Sequence, residues 1–88
     1  MKTVFLAQFG SDIEKLRLQS VKDDIAVAIE QVEQAQSTAD IVNVKKLKGF
    51  KTAYRIRIGD YRIGVFIENE TVEFARVIHR KDIYKAFP

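Results

Sequence analysis

The chain has 88 residues, enough for one domain spanning 1–88 with one modest core. Its composition, 47% hydrophobic and 31% charged, is that of a globular protein, not a disordered one. There is no cysteine and only one histidine, which excludes a disulfide scaffold, a cysteine nucleophile, thiolate metal sites and a histidine metal cluster.

Lys2 to Phe9 carries the apolar run Val4-Phe5-Leu6 and reads as a first strand over residues 2–8. It has neither the long apolar region nor the cleavage site of a signal peptide. No apolar run approaches the roughly 18 residues of a membrane span. The expected location is the cytoplasm, with no membrane partner. Gly10 punctuates the strand. Ser11-Asp12-Ile13-Glu14 then fits a capping box, with Ser11 as N-cap of a short helix that turns Ile13 and Leu16 inward. Ser20 is the expected cap of a second helix, with Asp23 and Asp24 in its first turn. There Val21, Ile25, Ala28, Ile29 and Val32 recur at helical spacing, the stripe of a core-facing helix. Residues 35–40 form the loop that ends it.

Beyond Ile41 the period changes. Ala53 to Ile58 alternates strictly, and so does Tyr61 to Ile67, with Gly59-Asp60 between them as a two-residue hairpin turn. Asn69-Glu70 leads to a third strand, Thr71 to Ile78. Tyr84 to Phe87 reads as a short C-terminal helix. The order β-α-α-β-β-β-α defines an α+β domain, with the helix hairpin packed on a mainly antiparallel sheet.

Charge is unevenly spread over this plan. The total is +3. Residues 1–44 carry four Lys/Arg and seven Asp/Glu, whereas residues 45–88 carry eleven and five. Between Lys45 and Arg62 there are seven basic residues and one acid, Asp60. A segment this basic suits a polyanionic partner.

With Gly59-Asp60 as the turn, Ile58 pairs with Tyr61, Arg57 with Arg62, and Arg55 faces Gly64. One face then carries Tyr54, Ile56, Ile58, Tyr61, Ile63 and Val65, the core. The other gathers Arg55, Arg57 and Arg62, with Gly64 leaving room for a ligand. Like charges paired across strands cost roughly 0.2–1 kcal/mol, so the cluster makes sense around an anion such as phosphate. Glu68 and Glu73 are too far along the strands to neutralise it. A two-residue Asn69-Glu70 turn puts Arg76 opposite Ile63 on the core face, which calls for a bulge or a longer turn. His79, Arg80 and Tyr84 are expected at the rim of the cluster, because the last strand ends beside Tyr61 and Arg62. No phosphate-loop glycines, serine–base pair or acid–base carboxylate pair is present.

Three blocks, Lys46-Leu47-Lys48-Gly49, Tyr54 to Arg62, and His79-Arg80-Lys81-Asp82-Ile83-Tyr84, resemble the RelE/ParE superfamily of bacterial and archaeal toxins. The resemblance covers nearly the whole chain and implies the RelE-like, microbial-ribonuclease type of toxin fold. It implies a toxin of a type II toxin–antitoxin system. RelE-type members cut mRNA in the ribosomal A site without a metal ion and so inhibit translation. ParE-type members poison DNA gyrase.

The family's basic pair falls on Arg55 and Arg57, its next arginine on Arg62, its arginine after the last strand on Arg80 and its tyrosine on Tyr84. The expected function is a metal-independent endoribonuclease, with no cofactor. Its expected partners are mRNA, the ribosome and a cognate antitoxin. The expected catalytic residues are Arg57, Arg62, Arg80, Tyr84 and His79. The expected RNA-binding residues are Lys45, Lys46, Lys48, Lys51 and Arg55. Well-known RelE-type members have lysines where this chain has Arg55 and Arg57. Arginine does not give up its proton at neutral pH, so His79 is the expected general base or leaving-group acid, the alternative being catalysis by positioning and charge stabilisation alone. The alternatives are a ParE-like gyrase inhibitor and a non-catalytic RNA-binding module.

Overall fold

Alternating apolar residues in the second half of the chain build the centre of a sheet, and the computed structural model describes it together with the rest of the chain, residues 1–88. The elements are β1 (Lys2–Phe5), α1 (Ala7–Lys15), α2 (Gln19–Gln34), a 3₁₀ turn (Thr38–Asp40), β2 (Val44–Lys46), β3 (Ala53–Ile58), β4 (Tyr61–Glu68), β5 (Thr71–His79) and α3 (Ile83–Ala86). The sheet order is β1-β5-β4-β3-β2, with β1 parallel to β5 and every other pair antiparallel.

The α+β plan stands, with one strand more than the sequence suggested. Strand β2 is three residues at the sheet edge, pairing Val44 with Ile56, Lys45 with Arg55 and Lys46 with Tyr54. The chain turns into α1 earlier than Gly10 and Ser11 implied. Leu6 is the N-cap and its amide still bonds Phe74 O at 3.0 Å, continuing the β1–β5 ladder. Ser11 lies inside the helix and its hydroxyl donates to Ala7 O. An early start lets Phe9 pack on Phe74, with ring centroids 5.4 Å apart. Ser20 is likewise inside α2, whose N-cap is Leu18, so Asp23 and Asp24 lie beyond the first turn.

Two apolar layers cover the sheet. On one face Ile25, Ala28 and Val32 of α2 and Phe9 of α1 bury Ile56, Ile63, Val65, Phe74 and Val77. On the other face Leu47, Ala53, Ala75, Ile83 and Phe87 form a second, smaller cluster under α3.

The hairpin β3–β4 has the register that its alternation dictates, with Arg57 opposite Arg62 and Arg55 opposite Gly64. Gly59 takes a φ of +56° at the turn. In β4–β5 the two-residue turn is retained, Glu68 pairing with Thr71, and the strain at Arg76 is relieved by a bulge instead. Val65 pairs with Phe74 but Gly64 pairs with Arg76, so Ala75 is the extra residue. An inserted residue exchanges the faces of everything that follows it. Arg76 thereby leaves the core face.

Asp12 fixes this arrangement. Beyond Phe74, β1 no longer covers the edge of β5, and the Asp12 carboxylate takes over. It accepts from Val77 N at 3.0 Å and from Arg76 Nε at 2.7 Å. Arg76 also donates to Ala86 O, linking α1 to α3.

Candidate active site

The shared face of β2, β3 and β4 opposite the helix hairpin carries the basic side chains. Asn43, Val44, Lys45, Arg55, Arg57 and Arg62 line one groove. None of its arginines has a carboxylate partner. The two ion pairs of the chain are Arg76–Asp12 and Arg80–Asp60. Glu68 and Glu73 lie at the far end of the sheet, around a separate depression with Thr52, Phe66, Asn69 and Thr71.

Arg62 is held by its own hairpin. Its Nη1 donates to Gly59 O at 2.8 Å and to Tyr61 O at 2.9 Å. Burial, then the charges of Arg55, Arg57 and Arg80, pull its guanidinium below the ordinary arginine value, and Tyr84 opposes this. It stays protonated at neutral pH. Arg57 faces Arg62 directly across the hairpin, and Arg55 lies two residues further along the same strand, opposite Gly64. Arg80 is anchored to the turn, its amide donating to Asp60 O at 2.8 Å and its Nε 3.8 Å from the Asp60 carboxylate.

Tyr84 is brought to the cluster by α3. Ile83 and Phe87 bury themselves on the sheet and leave Tyr84, between them, 67% exposed. Phe87 sits on Gly64: a Cβ there would be 2.6 Å from the ring. The space over Gly64 is thus filled by Phe87, a correction to its expected use as room for a ligand. Arg55, opposite Gly64, donates through Nη1 to the Tyr84 hydroxyl, and its guanidinium carbon lies 5.4 Å from the Tyr84 ring centre.

His79 is not at this cluster. It pairs with Tyr61, and both point to the helix-hairpin face, where their rings meet edge to face with centroids 5.4 Å apart. Its Nδ1 accepts the Lys81 amide at 3.2 Å. The neutral ring then carries its proton on Nε2. The bulge at Ala75 is the physical reason. Without it His79 would share the face of Arg62.

The lysines divide. Lys45 lines the groove, whereas Lys46 pairs with Tyr54 and shares the other face. Lys48 and Lys51 are exposed in the turn between β2 and β3, outside the groove lining. Asn43 is a groove residue that sequence reasoning missed. Its signal was its residue type, since asparagine tolerates the left-handed conformation found there, φ 62°. No three His, Cys, Asp or Glu side chains are grouped so as to hold a metal ion. No helix is long and apolar enough to cross a membrane.

The family model described as the ParE toxin of type II toxin-antitoxin systems, parDE, matches residues 4–84. A curated relative, Toxin RelE3 of Methanocaldococcus jannaschii, is 38% identical over the full length of both chains. Among solved structures, the RelB–RelE antitoxin–toxin complex from Methanococcus jannaschii matches with a TM-score of 0.81 and 35% identity, covering 97% of this chain and 99% of that one. The archaeal RelE–RelB complex from Pyrococcus horikoshii matches in fold, with a TM-score of 0.72 at 18% identity, covering 90% and 93%. The chain belongs to the RelE/ParE superfamily, the toxins of type II toxin–antitoxin systems.

Proposed function

We propose that this toxin is a metal-independent endoribonuclease of the RelE type, cutting mRNA in the ribosomal A site and so stopping translation. The observation that carries the reading is Arg57 opposite Arg62 on one sheet face, with Arg80 tied to the Asp60 turn of that hairpin and Tyr84 bonded to Arg55, and no carboxylate on the hairpin arginines. Cations held in place before the substrate arrives stabilise charge as it develops. Arg62, tied to Gly59 O and Tyr61 O, is such a group.

In this reading the substrate supplies the nucleophile. The 2′-OH attacks the adjacent phosphorus, the bond from phosphorus to O5′ breaks, and the hydroxyl proton ends on O5′. The products are a cyclic phosphate and a 5′-OH end. Arg57, Arg62 and Arg80 hold the phosphate, Tyr84 stacks on a base or places the 2′-OH, and Lys45, Lys48 and Lys51 contact flanking backbone. His79 has no part in the chemistry, because it faces the other side of the sheet. With no histidine at the cluster, the protein acts by positioning and charge, Lys45 being one of the groove's cations.

A cognate antitoxin is the expected partner, in keeping with the antitoxin complexes of the relatives. Its acidic groups would cover the arginine face. The working place would be the cytoplasm, on the ribosome.

The match to the ParE model favours a second reading, a non-enzymatic gyrase inhibitor. Expression in a bacterial host separates the two. The ribonuclease cuts translated messages, and Arg62→Ala removes the cuts. The gyrase inhibitor leaves mRNA intact and induces the DNA-damage response.

A further inference from the structure

The groove at the arginine face contains one side chain that does not fit a purely phosphate-binding role. Its polar lining is four cations, Lys45, Arg55, Arg57 and Arg62, and one neutral amide, Asn43. Cations on phosphates fix position but carry no sequence information. Asn43 offers a donor and an acceptor side by side.

The backbone of Asn43 is tied to the sheet. Its carbonyl accepts the Arg57 amide at 3.2 Å, which extends the β2–β3 ladder by one residue. Its φ of 62° lies in the left-handed region. Glycine would meet that backbone requirement at no steric cost, so the conformation alone does not call for an amide at the groove. Alternation packs the half-buried Val44 against the core and leaves Asn43 and Lys45 on the arginine side. Asn43 is one strand from Arg57 and two from Arg62, about 10 Å across the sheet. A nucleotide whose phosphate lies between Arg57 and Arg62 can lay its base toward Asn43.

We infer that Asn43 reads the base beside the scissile phosphate, and that the base it selects is adenine. The adenine 6-amino group and N7 form a donor–acceptor pair that matches a carboxamide, whereas guanine presents two acceptors on the same edge. In single-stranded RNA that edge is open to the protein. The inference rests on the ribonuclease reading above.

The test is Asn43→Gly, which keeps the left-handed backbone and removes the amide. Wild-type and variant toxins are expressed in cells, and the 5′-OH ends of cut messages are sequenced. The wild type should favour adenine at one position flanking the cut by about fivefold or more, the discrimination expected of one bidentate contact. The variant should lose that preference. A base profile identical in the two proteins, or a wild-type profile without adenine enrichment, overturns the inference and leaves the ribonuclease standing. A wild type that makes no cuts overturns the ribonuclease reading itself, and the inference with it.

Discussion

Arg55 and Tyr84, 29 residues apart, are joined by a hydrogen bond from the guanidinium to the phenol, with the cation also close to the ring. Arg55 thus orients the exposed tyrosine of α3 as well as adding charge to the face. The two side chains should therefore act as a unit. Arg55→Ala and Tyr84→Phe should each lower the single-turnover cleavage rate, and the double variant should lose much less than the sum of the two. Full additivity in this double-mutant cycle would show that the contact is idle.

Gly64 and Phe87 set where Tyr84 stands. A methyl group at Gly64 meets the whole Phe87 ring edge, the nearest atoms at 2.6 and 2.7 Å. Gly64→Ala should push Phe87 off the sheet and cost about 1–3 kcal/mol, as overpacking does. Urea unfolding measures the cost. Because α3 carries Tyr84, the cleavage rate of the folded variant should fall as well.

Asp12 is the buried carboxylate of the fold. Burial raises its pKa, but hydrogen bonds from Arg76, the Val77 amide and Gln8 outweigh this, so the carboxyl is held below the ordinary aspartate value. The sign follows. A group with a lowered folded pKa is more protonated in the unfolded chain, so it stabilises above the unfolded pKa, about 3.9. The contribution is lost as pH falls through the folded value. Asp12→Asn should cost about 1.5–3 kcal/mol at pH 7. The loss should shrink as the pH is lowered below about 4, measured by denaturant unfolding at several pH values.

The turn between β4 and β5 holds both central residues in the left-handed region, Asn69 at 52° and Glu70 at 62°. Asparagine tolerates this and glutamate does not, at a cost of roughly 1–2 kcal/mol. Glu70→Gly creates the preferred Asn-Gly turn. It should raise the melting temperature by about 4–8 °C per kcal/mol gained, as read by calorimetry.

Much of the site was legible because alternation and a glycine turn determine a hairpin. Residues 53–67 alone place Arg57 across from Arg62 and Ile56 across from Ile63. What was hidden depends on contacts distant in sequence. The bulge at Ala75 is settled by Asp12, 65 residues from the Val77 amide that it accepts. That one insertion moved His79 away from the arginines and Arg76 off the core face. The short strand β2 contains Lys45 and Lys46, which carry no strand signal of their own and pair only because β3 offers an edge. The helix starts were misplaced for a similar reason. Serine capping is a local preference, and burial of Phe9 against Phe74 overrode it at α1.

The central claim is that the arginine face serves a nucleophile supplied by RNA. The most direct measurement replaces the single ribose 5′ of the cut with deoxyribose in a short message bound to ribosomes. Cleavage of that message should vanish while the unmodified message is cut at the same site, with EDTA leaving the cut unaffected once ribosome integrity is controlled. A deoxy message cut at the unmodified rate would contradict the account.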